Sequence, residues 1–244
     1  MTNDREAFGD GLIDSKTLSK GEIHVWKIPI HTSSATIAQY RKLLDKKEES
    51  RIPFFKFEEA KNSYITSQGA LRILLSGYLG ISPKLIDLGR RNKGKPYSID
   101  DPDLNFNISN SGNLAVIAFL RSAELGIDIE QIRLLSDLDE LIKRNFSARE
   151  IKFITANPNE KLQRFFRFWT VKESYLKAIG EGMRLTPDSI EFAFENNHIE
   201  LLSVKGVFEQ EDWKFSEFSP SDSIVGTITY GNTDMSIKII EYNY

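Results

Sequence analysis

Three carboxylates and a lysine with the chemistry to handle phosphate lie in two short segments of this sequence. Asp128 and Glu130 are two residues apart in GIDIE, and Glu173 and Lys177 are four residues apart in FWTVKESYLKAIGEG. Residues two apart on a strand project from one face, and residues four apart on a helix lie about one turn apart. Two carboxylates on an otherwise apolar strand repel each other, so a basic side chain or a metal ion must compensate them. Each segment also has a simpler interpretation, as an edge strand with one wet face or as an amphipathic helix with an ion pair.

Taken together, the two segments predict a site built from oxygen ligands. Three carboxylates leave coordination positions for water and phosphate oxygens, which is the arrangement that Mg²⁺ prefers in phosphoryl chemistry. Lys177 and the basic turn RRNKGKPY at 90–97 would face the same phosphates, although the turn by itself is better interpreted as an ordinary surface turn. The pieces therefore suit the handling of a pyrophosphate.

The segments that position these residues alternate between strand and helix periods, which predicts an α+β fold. The helix that holds Glu173 is predicted over 160–179, with glycines at its end. Lys172 falls inside the apolar arc of that helix, so we expect a packed stem whose head reaches a carboxylate or a phosphate. A charged turn is predicted at 46–51 and a polar turn at 109–112. The other predicted elements are strands at 22–28, 104–108, 114–120 and 125–130, helices at 40–44, 57–79, 137–144 and from Ser147 to before Pro158, and strands after Pro187.

Composition argues against several classes of protein. The chain has 244 residues, of which 40% are hydrophobic and 27% charged, the balance of a globular protein with one large domain or two small ones. A net charge of −3 gives no electrostatic case for nucleic acid, and no apolar run approaches the ~20 residues that cross a bilayer. With no cysteine and three scattered histidines, a thiolate, a Ser-His-Asp triad or a zinc site is disfavoured. Residues 1–20 are interpreted as a polar tail without a signal-peptide core, which indicates the cytoplasm.

Four motifs carry a resemblance to a known family. The motifs are GKPY (94–97), FNISNSG (106–112), GIDIE (126–130) and FWTVKESYLKAIGEG (168–182). In their order and spacing they resemble the motifs of the 4′-phosphopantetheinyl transferases, in particular those of the long, surfactin-synthetase-activating type. The resemblance covers roughly residues 41–194.

This resemblance implies a fold and a reaction. The expected fold is two similar α+β halves related by a pseudo-twofold axis, an N-terminal half at 21–124 and a C-terminal half with the metal site at 125–244, with the active site between them. The expected reaction is that of a holo-[acyl-carrier-protein] synthase. The phosphopantetheine arm of coenzyme A passes to a serine of an apo acyl or peptidyl carrier protein, and adenosine 3′,5′-bisphosphate is released. The family depends on Mg²⁺, with Mn²⁺ as an alternative, and the presence of both halves in one chain implies a monomer.

The expected site residues carry over motif by motif. By resemblance, Asp128, Glu130 and Glu173 are the metal ligands. Glu173 is also the base for the carrier serine, acting directly or through water. Lys177 meets the phosphates and helps the leaving group, and Asp128 also belongs to the coenzyme A site. The other implied coenzyme A contacts are Lys95 and Pro96 of GKP, Ser109 at the 3′-phosphate, Asn110 and, by a looser alignment, Arg51 and Lys47.

One position departs from the family pattern, because Asn110 stands where the family usually has histidine in NISHSG. An amide can donate a hydrogen bond to phosphate but carries no charge, so the affinity for the 3′-phosphate is the property in question. Two alternatives stay open at this point. One is a different Mg²⁺-dependent phosphotransferase with a nucleotide-like donor, although the chain has neither GxxxxGK[ST] nor GxGxxG. The other is a degenerate, non-catalytic module that binds coenzyme A or a carrier protein.

Overall fold

A computed structural model gives the fold of the chain, which divides into two compact units. The first unit contains the described residues of 1–91, 96–122 and 235–244, and the second those of 92–95 and 123–234. Each unit combines helices with β-sheets, so the predicted α+β class is confirmed. The described residues are 17–30, 33–91, 94–180, 185–195, 198–206, 212–231 and 234–242.

Helices and strands alternate along the chain much as the sequence pattern predicts. The strands are β1 (Glu22–Pro29), β2 (Leu88–Arg90), β3 (Pro96–Ser98), β4 (Leu104–Ser111), β5 (Leu114–Arg121), β6 (Leu125–Gln131), β7 (Ile190–Glu195), β8 (His198–Val204), β9 (Trp213–Ser221), β10 (Ile224–Gly231) and β11 (Ser236–Glu241). The α-helices are α1 (Ser34–Arg41), α2 (Lys46–Glu49), α3 (Glu58–Leu79), α4 (Leu138–Asn145), α5 (Ala148–Thr155) and α6 (Lys161–Ile179).

The first unit is built around a four-stranded sheet in the order β11-β1-β5-β4. β5 is buried along the apolar run LAVIAFL, as expected for a strand that is paired on both sides. β1 pairs antiparallel with β5 and parallel with β11, so the last strand of the chain joins the first. The helix α3 contributes Leu71 and Leu75 to the same apolar core as Trp26 and Phe119, and it ends at Gly80, whose φ of 70° lies in the left-handed region that glycine tolerates.

The second unit has a three-stranded sheet, β6-β10-β9, and a separate hairpin of β7 and β8. The long helix α6 packs against β6 and β10. Its apolar arc enters a core rich in aromatic rings, in which Phe168 contacts Phe194 and Tyr175 contacts Phe192. The predicted glycine stop is present, since Gly180 has a φ of 67°. These contacts fix the helix that carries Glu173 and Lys177.

Two predicted turns are wrong, and both errors have a local cause. The charged segment at 46–51 begins with a helical turn, α2, because Asp45 and Glu48 form a reciprocal capping box. The polar segment at 109–112 is mostly strand, because β4 continues to pair with β5 as far as Ser111 opposite Leu114. Ser109 and Asn110 therefore lie on a strand.

Most of the predicted polar tail, 1–20, lies outside the described residues. Leu18, which is described, is buried in the core of the first unit. The division of the chain into halves at 21–124 and 125–244 stays a prediction. Across the described ranges, no helix has the length and apolar character needed to cross a bilayer.

Candidate active site

The helix α6 and the strand β6 approach each other most closely at Gly126. A Cβ atom at this position would lie 2.0 Å from the backbone oxygen of Ser174 and 2.4 Å from the backbone nitrogen of Ala178. Real Cβ atoms do not approach backbone atoms so closely, so only glycine fits here. The glycine of GIDIE therefore lets the backbone of the helix lie directly on the strand.

Two hydroxyl pairs tie the same face of α6 to the neighbouring strand β10. The Thr170 and Thr227 hydroxyl oxygens are 3.0 Å apart, and those of Ser174 and Thr229 are 2.7 Å apart. All four side chains are buried, so each pair satisfies polar atoms that would otherwise be costly to bury. Hydrogen bonds have directional preferences that apolar contacts lack, so these pairs help to fix the rotation of α6 about its axis.

Asp128 and Lys177 form the centre of the candidate site. Asp128 follows Gly126 by two residues and thus lies on the face of β6 that meets α6. The Lys177 ammonium nitrogen is 2.7 Å from Asp128 Oδ1 and 3.1 Å from the Ile127 backbone oxygen. The Asp128 side chain is only 7% exposed, whereas that of Lys177 is 29% exposed. The pair thus joins a buried carboxylate to a cation that water can still reach.

Glu173 is electrostatically coupled to the same group. Burial is the largest cause that raises the pKa of the Glu173 carboxyl, and the negative charges of Asp128 and Glu130 raise this pKa further. Lys177 opposes part of the effect. Glu130 keeps partial contact with water and also lies 3.4 Å from Arg133. The structure therefore brings all three predicted carboxylates and the predicted lysine into one electrostatic cluster.

The donor chemistry of this cluster fits a hard divalent ion, because Mg²⁺ and Mn²⁺ prefer carboxylate oxygens. The mutual repulsion that raises the pKa of Glu173 is also what a bound cation would relieve. In the described part of the chain, however, no three acidic or histidine side chains are arranged as a ligand set around one point. Asp128, Glu130 and Glu173 as metal ligands therefore stay a prediction.

Two adjoining clefts in the first unit collect most of the predicted coenzyme A contacts. The smaller cleft, about 260 Å³, is lined by Lys47, Arg51 and Pro96 among others. The larger, about 530 Å³, is lined by Arg51, Ser109 and Asn110 among others. Arg51 belongs to both clefts, and its guanidinium carbon lies 5.3 Å from the ring centroid of Tyr64, which it can contact by a cation–π interaction. Five of the predicted contacts thus border one continuous region that contains the basic side chains of Lys47 and Arg51.

Lys95, the lysine of the GKP motif, lines neither cleft. Its ammonium group donates to Glu124 Oε2 at 2.7 Å, to the Leu125 backbone oxygen at 2.9 Å and to the Ala178 backbone oxygen at 2.8 Å. A lysine ammonium has three hydrogens to donate, and these three contacts use them. Lys95 thereby links the start of β6 to the last turn of α6. Its role as a coenzyme A contact stays a prediction.

Sequence reasoning missed several residues that the structure places in these sites. Gln68 lines both clefts, and Ser63 lines the larger one. Arg90 also lines the smaller cleft, but it was not missed, because it begins the basic segment RRNKGKPY that is predicted to face phosphate. Gln68 and Ser63 lie on α3, where an isolated polar residue is typical of any solvent-facing helix position. Thr227 and Thr229 likewise alternate on a strand as ordinary polar residues would.

Asn110 gives a testable prediction about the larger cleft. Its amide nitrogen donates to the Ser63 hydroxyl oxygen at 2.8 Å, so the side chain is already held at the cleft wall. Replacing Asn110 by histidine restores the group that the family pattern usually has and adds a charge when protonated. We expect the Michaelis constant for coenzyme A to fall or to stay unchanged, measured from initial rates of carrier modification. A clear rise would contradict the assignment of Asn110 to a phosphate contact.

Known proteins resemble this chain over most of its length. The family model described as the 4′-phosphopantetheinyl transferase superfamily matches residues 124–229, and the model described as 4′-phosphopantetheinyl transferase, N-terminal, matches residues 30–121. The 4′-phosphopantetheinyl transferase HetI of Nostoc sp. is 33% identical over 230 residues, which cover 93% of this chain and 94% of HetI. The 4′-phosphopantetheinyl transferase of Bacillus subtilis is 34% identical over 146 residues, which cover 59% of this chain and 63% of the Bacillus protein.

A solved structure gives a weaker match. The holo-[acyl-carrier-protein] synthase of Thermotoga maritima aligns over 44% of this chain and 62% of its own chain, at 15% identity and a TM-score of 0.37. The two family models together span ranges in both units, and the similarity to HetI runs nearly from end to end. The resemblance seen in the four motifs is thereby confirmed, and the chain belongs to the 4′-phosphopantetheinyl transferase superfamily.

Proposed function

We propose that the protein transfers the 4′-phosphopantetheine group of coenzyme A to a serine hydroxyl of an apo acyl or peptidyl carrier protein. The observation that carries this proposal is the cluster of Asp128, Glu173 and Lys177, which joins a carboxylate of raised pKa to a buried carboxylate and an ammonium group. Membership of the family supports the reaction type. Both matched family regions lie in one chain, so we also propose a monomer.

The clefts of the first unit provide the residues to bind the nucleotide end of coenzyme A. Lys47 and Arg51 supply positive charge for its phosphates, and Arg90 adds to this charge at the smaller cleft. Ser109 and Asn110 offer a hydroxyl and an amide to the 3′-phosphate at the larger cleft. Charge-assisted hydrogen bonds to phosphate are stronger than those between neutral groups, so the basic residues are expected to dominate the affinity for coenzyme A.

The residues of the second unit suit the transfer step. The serine oxygen forms a new bond to the pantetheine-bearing phosphorus, and the pyrophosphate bond to adenosine 3′,5′-bisphosphate breaks. The serine proton passes to the Glu173 carboxylate, whose raised pKa improves it as a proton acceptor. Lys177 neutralises charge that develops on the departing phosphate. A divalent cation held by Asp128, Glu130 and Glu173 would act as a Lewis acid toward the pyrophosphate.

The direct test is the mass of apo carrier proteins after incubation with this protein, coenzyme A and Mg²⁺. We expect a gain of one phosphopantetheine group on the carrier serine, and no gain when that serine is replaced by alanine. Chelation of the divalent cation is expected to stop the transfer, and Mg²⁺ or Mn²⁺ to restore it. A panel of fatty-acid, polyketide and peptide-synthetase carriers would also define the substrate range. If coenzyme A binds but no carrier in the panel gains mass, the protein is a binding module and the proposed transfer is wrong.

A further inference from the structure

Each unit contains one fully buried cation on its long helix, and the two cations make corresponding contacts. Arg72 on α3 and Lys172 on α6 are both 0% exposed. Each is paired with a glutamate that closes the capping box of a shorter helix, Glu48 for Arg72 and Glu150 for Lys172. We call each set of contacts a clamp, defined by the cation and its glutamate.

The clamp of the second unit holds the middle of α6. The Lys172 ammonium nitrogen lies 2.7 Å from Glu150 Oε2, 2.7 Å from the Pro187 backbone oxygen and 2.7 Å from the Ile190 backbone oxygen. The other oxygen of Glu150 accepts from the backbone nitrogen of Phe192 at 2.9 Å. Three separate segments, α5, α6 and residues 187–192, therefore meet at one lysine and one glutamate. The sequence predicts that the Lys172 head reaches a carboxylate or a phosphate, and in the structure it reaches the Glu150 carboxylate.

The clamp of the first unit has the same parts. Arg72 Nε donates to Glu48 Oε2 at 2.7 Å, and Arg72 Nη2 donates to Asp45 Oδ2 at 3.1 Å. Arg72 Nη1 donates to the backbone oxygens of Pro83 at 3.1 Å and Ile86 at 3.0 Å. In both units the two backbone oxygens belong to a proline and to an isoleucine three residues later. The glutamate precedes the cation by 24 residues in one unit and by 22 in the other.

A buried ion pair is a poor way to gain stability, because the cost of removing both charges from water offsets most of their attraction. An apolar pair of similar volume often stabilises a fold as well or better. What an ion pair adds is direction, since its charge-assisted hydrogen bonds hold both partners in one geometry. Both clamps lie next to residues of the candidate sites. We therefore interpret them as contacts that hold those residues in place and not as sources of stability.

We propose that the two clamps are positioning devices for the transfer reaction, an inference that rests on the proposed function. Successive residues on a helix point about 100° apart, so the inward direction of Lys172 sets the direction of the adjacent Glu173. Arg72 holds Glu48 and Asp45, which form the N-terminal capping box of α2, and α2 carries Lys47 and leads into Arg51. The second-unit clamp thus serves the proton-transfer residue, and the first-unit clamp serves the cleft that binds coenzyme A.

The test exchanges each ion pair for a neutral pair of similar size. The variants are Lys172→Met with Glu150→Gln, and Arg72→Met with Glu48→Gln. Glutamine keeps the capping-box bond in either unit, so each helix start is preserved. For the second-unit double variant we expect kcat to fall by roughly 10- to 100-fold with an unchanged KM for coenzyme A, since small misplacements of a catalytic group cost about this much. For the first-unit variant we expect KM for coenzyme A to rise by roughly 10-fold at unchanged kcat.

We call the two expected results, a lower kcat in the second-unit variant and a higher KM in the first-unit variant, the crossed pattern. This pattern distinguishes a loss of positioning from a general loss of stability. Loss of folded protein lowers the apparent kcat of both variants alike and leaves both KM values unchanged, and that result would overturn the proposal. If a methionine double variant does not fold, Lys172→Gln with Glu150→Gln or Arg72→Gln with Glu48→Gln replaces it, because the glutamine amide can still donate to the backbone oxygens and no buried charge is left unpaired. The same pattern is expected at smaller size. The affinity for coenzyme A, measured by titration, should fall in the first-unit variants and stay unchanged in the second-unit variants. If the wild-type protein modifies no carrier, the proposed function is wrong. If the wild type is active but the variants do not show the crossed pattern, only the positioning role of the clamps is wrong.

Discussion

Replacing Glu173 by glutamine is expected to abolish most of the transfer activity and to stabilise the metal-free protein. The activity falls because glutamine cannot accept the serine proton and is a poorer ligand for a hard cation; loss of a general base costs roughly 10²- to 10⁴-fold. The stability rises because Glu173 is a partly buried carboxylate that is repelled by Asp128 and Glu130. Glutamine has nearly the same shape without the charge. Turnover is measured with saturating Mg²⁺, and stability is measured by thermal unfolding in a chelator.

The pH dependence of that stabilisation has a definite sign. Burial and the neighbouring carboxylates raise the pKa of Glu173 in the folded protein above its ordinary value, so folding favours the protonated form. Above that raised pKa the ionised side chain lowers the free energy of unfolding, and glutamine removes that penalty. As the pH falls through the folded pKa toward the ordinary value, Glu173 takes up a proton and the advantage of the variant disappears. Each 1 kcal/mol corresponds to about 2–4 °C in Tm for a chain of this size.

A matched control distinguishes the effect of losing the Glu173 carboxylate from the effect of losing one negative charge anywhere in the unit. Glu200→Gln removes the same charge from an exposed position on β8 in the same unit. We expect this variant to keep wild-type turnover, wild-type Tm and the wild-type rise of Tm with added Mg²⁺. The Glu173→Gln variant should lose most of that Mg²⁺-dependent rise, since ligand binding stabilises only a protein that binds the ligand. Near-normal turnover of Glu173→Gln at saturating Mg²⁺ would show that Glu173 is not the base.

The helix that carries Glu173 could be predicted from sequence because its signals are local. An apolar arc at helical period, an end at Gly180 and a lysine inside the arc are all visible within about twenty residues. The partner of Lys172 could not be predicted, because Glu150 is 22 residues away and lies on another helix. Periodicity predicts which face of α6 is buried, whereas the partner of a buried charge depends on tertiary packing.

The strand partners show the same limit. The alternation in SIKIIE predicts β11 but does not say that it pairs in parallel with β1, with Ser236 opposite Glu22. Turn chemistry also misled the prediction at Ser109 and Asn110, where the polar composition of SNSG is typical of a turn but pairing with β5 extends the strand. The error matters for the site, because both residues line the larger cleft.

The substitution Gly126→Ala is expected to damage both stability and turnover. The new Cβ would lie 2.0 Å from the Ser174 backbone oxygen and 2.4 Å from the Ala178 backbone nitrogen. Backbone atoms of a helix cannot move aside as a side-chain tip can, so α6 as a whole must shift from β6. Overpacking of this kind costs about 1–3 kcal/mol and occasionally more. Thermal unfolding measures this loss.

The loss of turnover follows from what lies on the two elements. Lys177 on α6 is 2.7 Å from Asp128 on β6, so a shift of the helix changes that contact and moves Glu173 as well. A displacement of about 1 Å at reacting groups costs on the order of 10²-fold in rate. Gly226→Ala is the matched control, because the atoms nearest to its Cβ would be side-chain atoms of Ile129 and Phe218, both at 2.8 Å, and not helix backbone. This control should lose stability but keep most of its turnover per folded molecule. If Gly126→Ala instead kept wild-type Tm and kcat, the close approach of α6 to β6 would not be what positions the carboxylates.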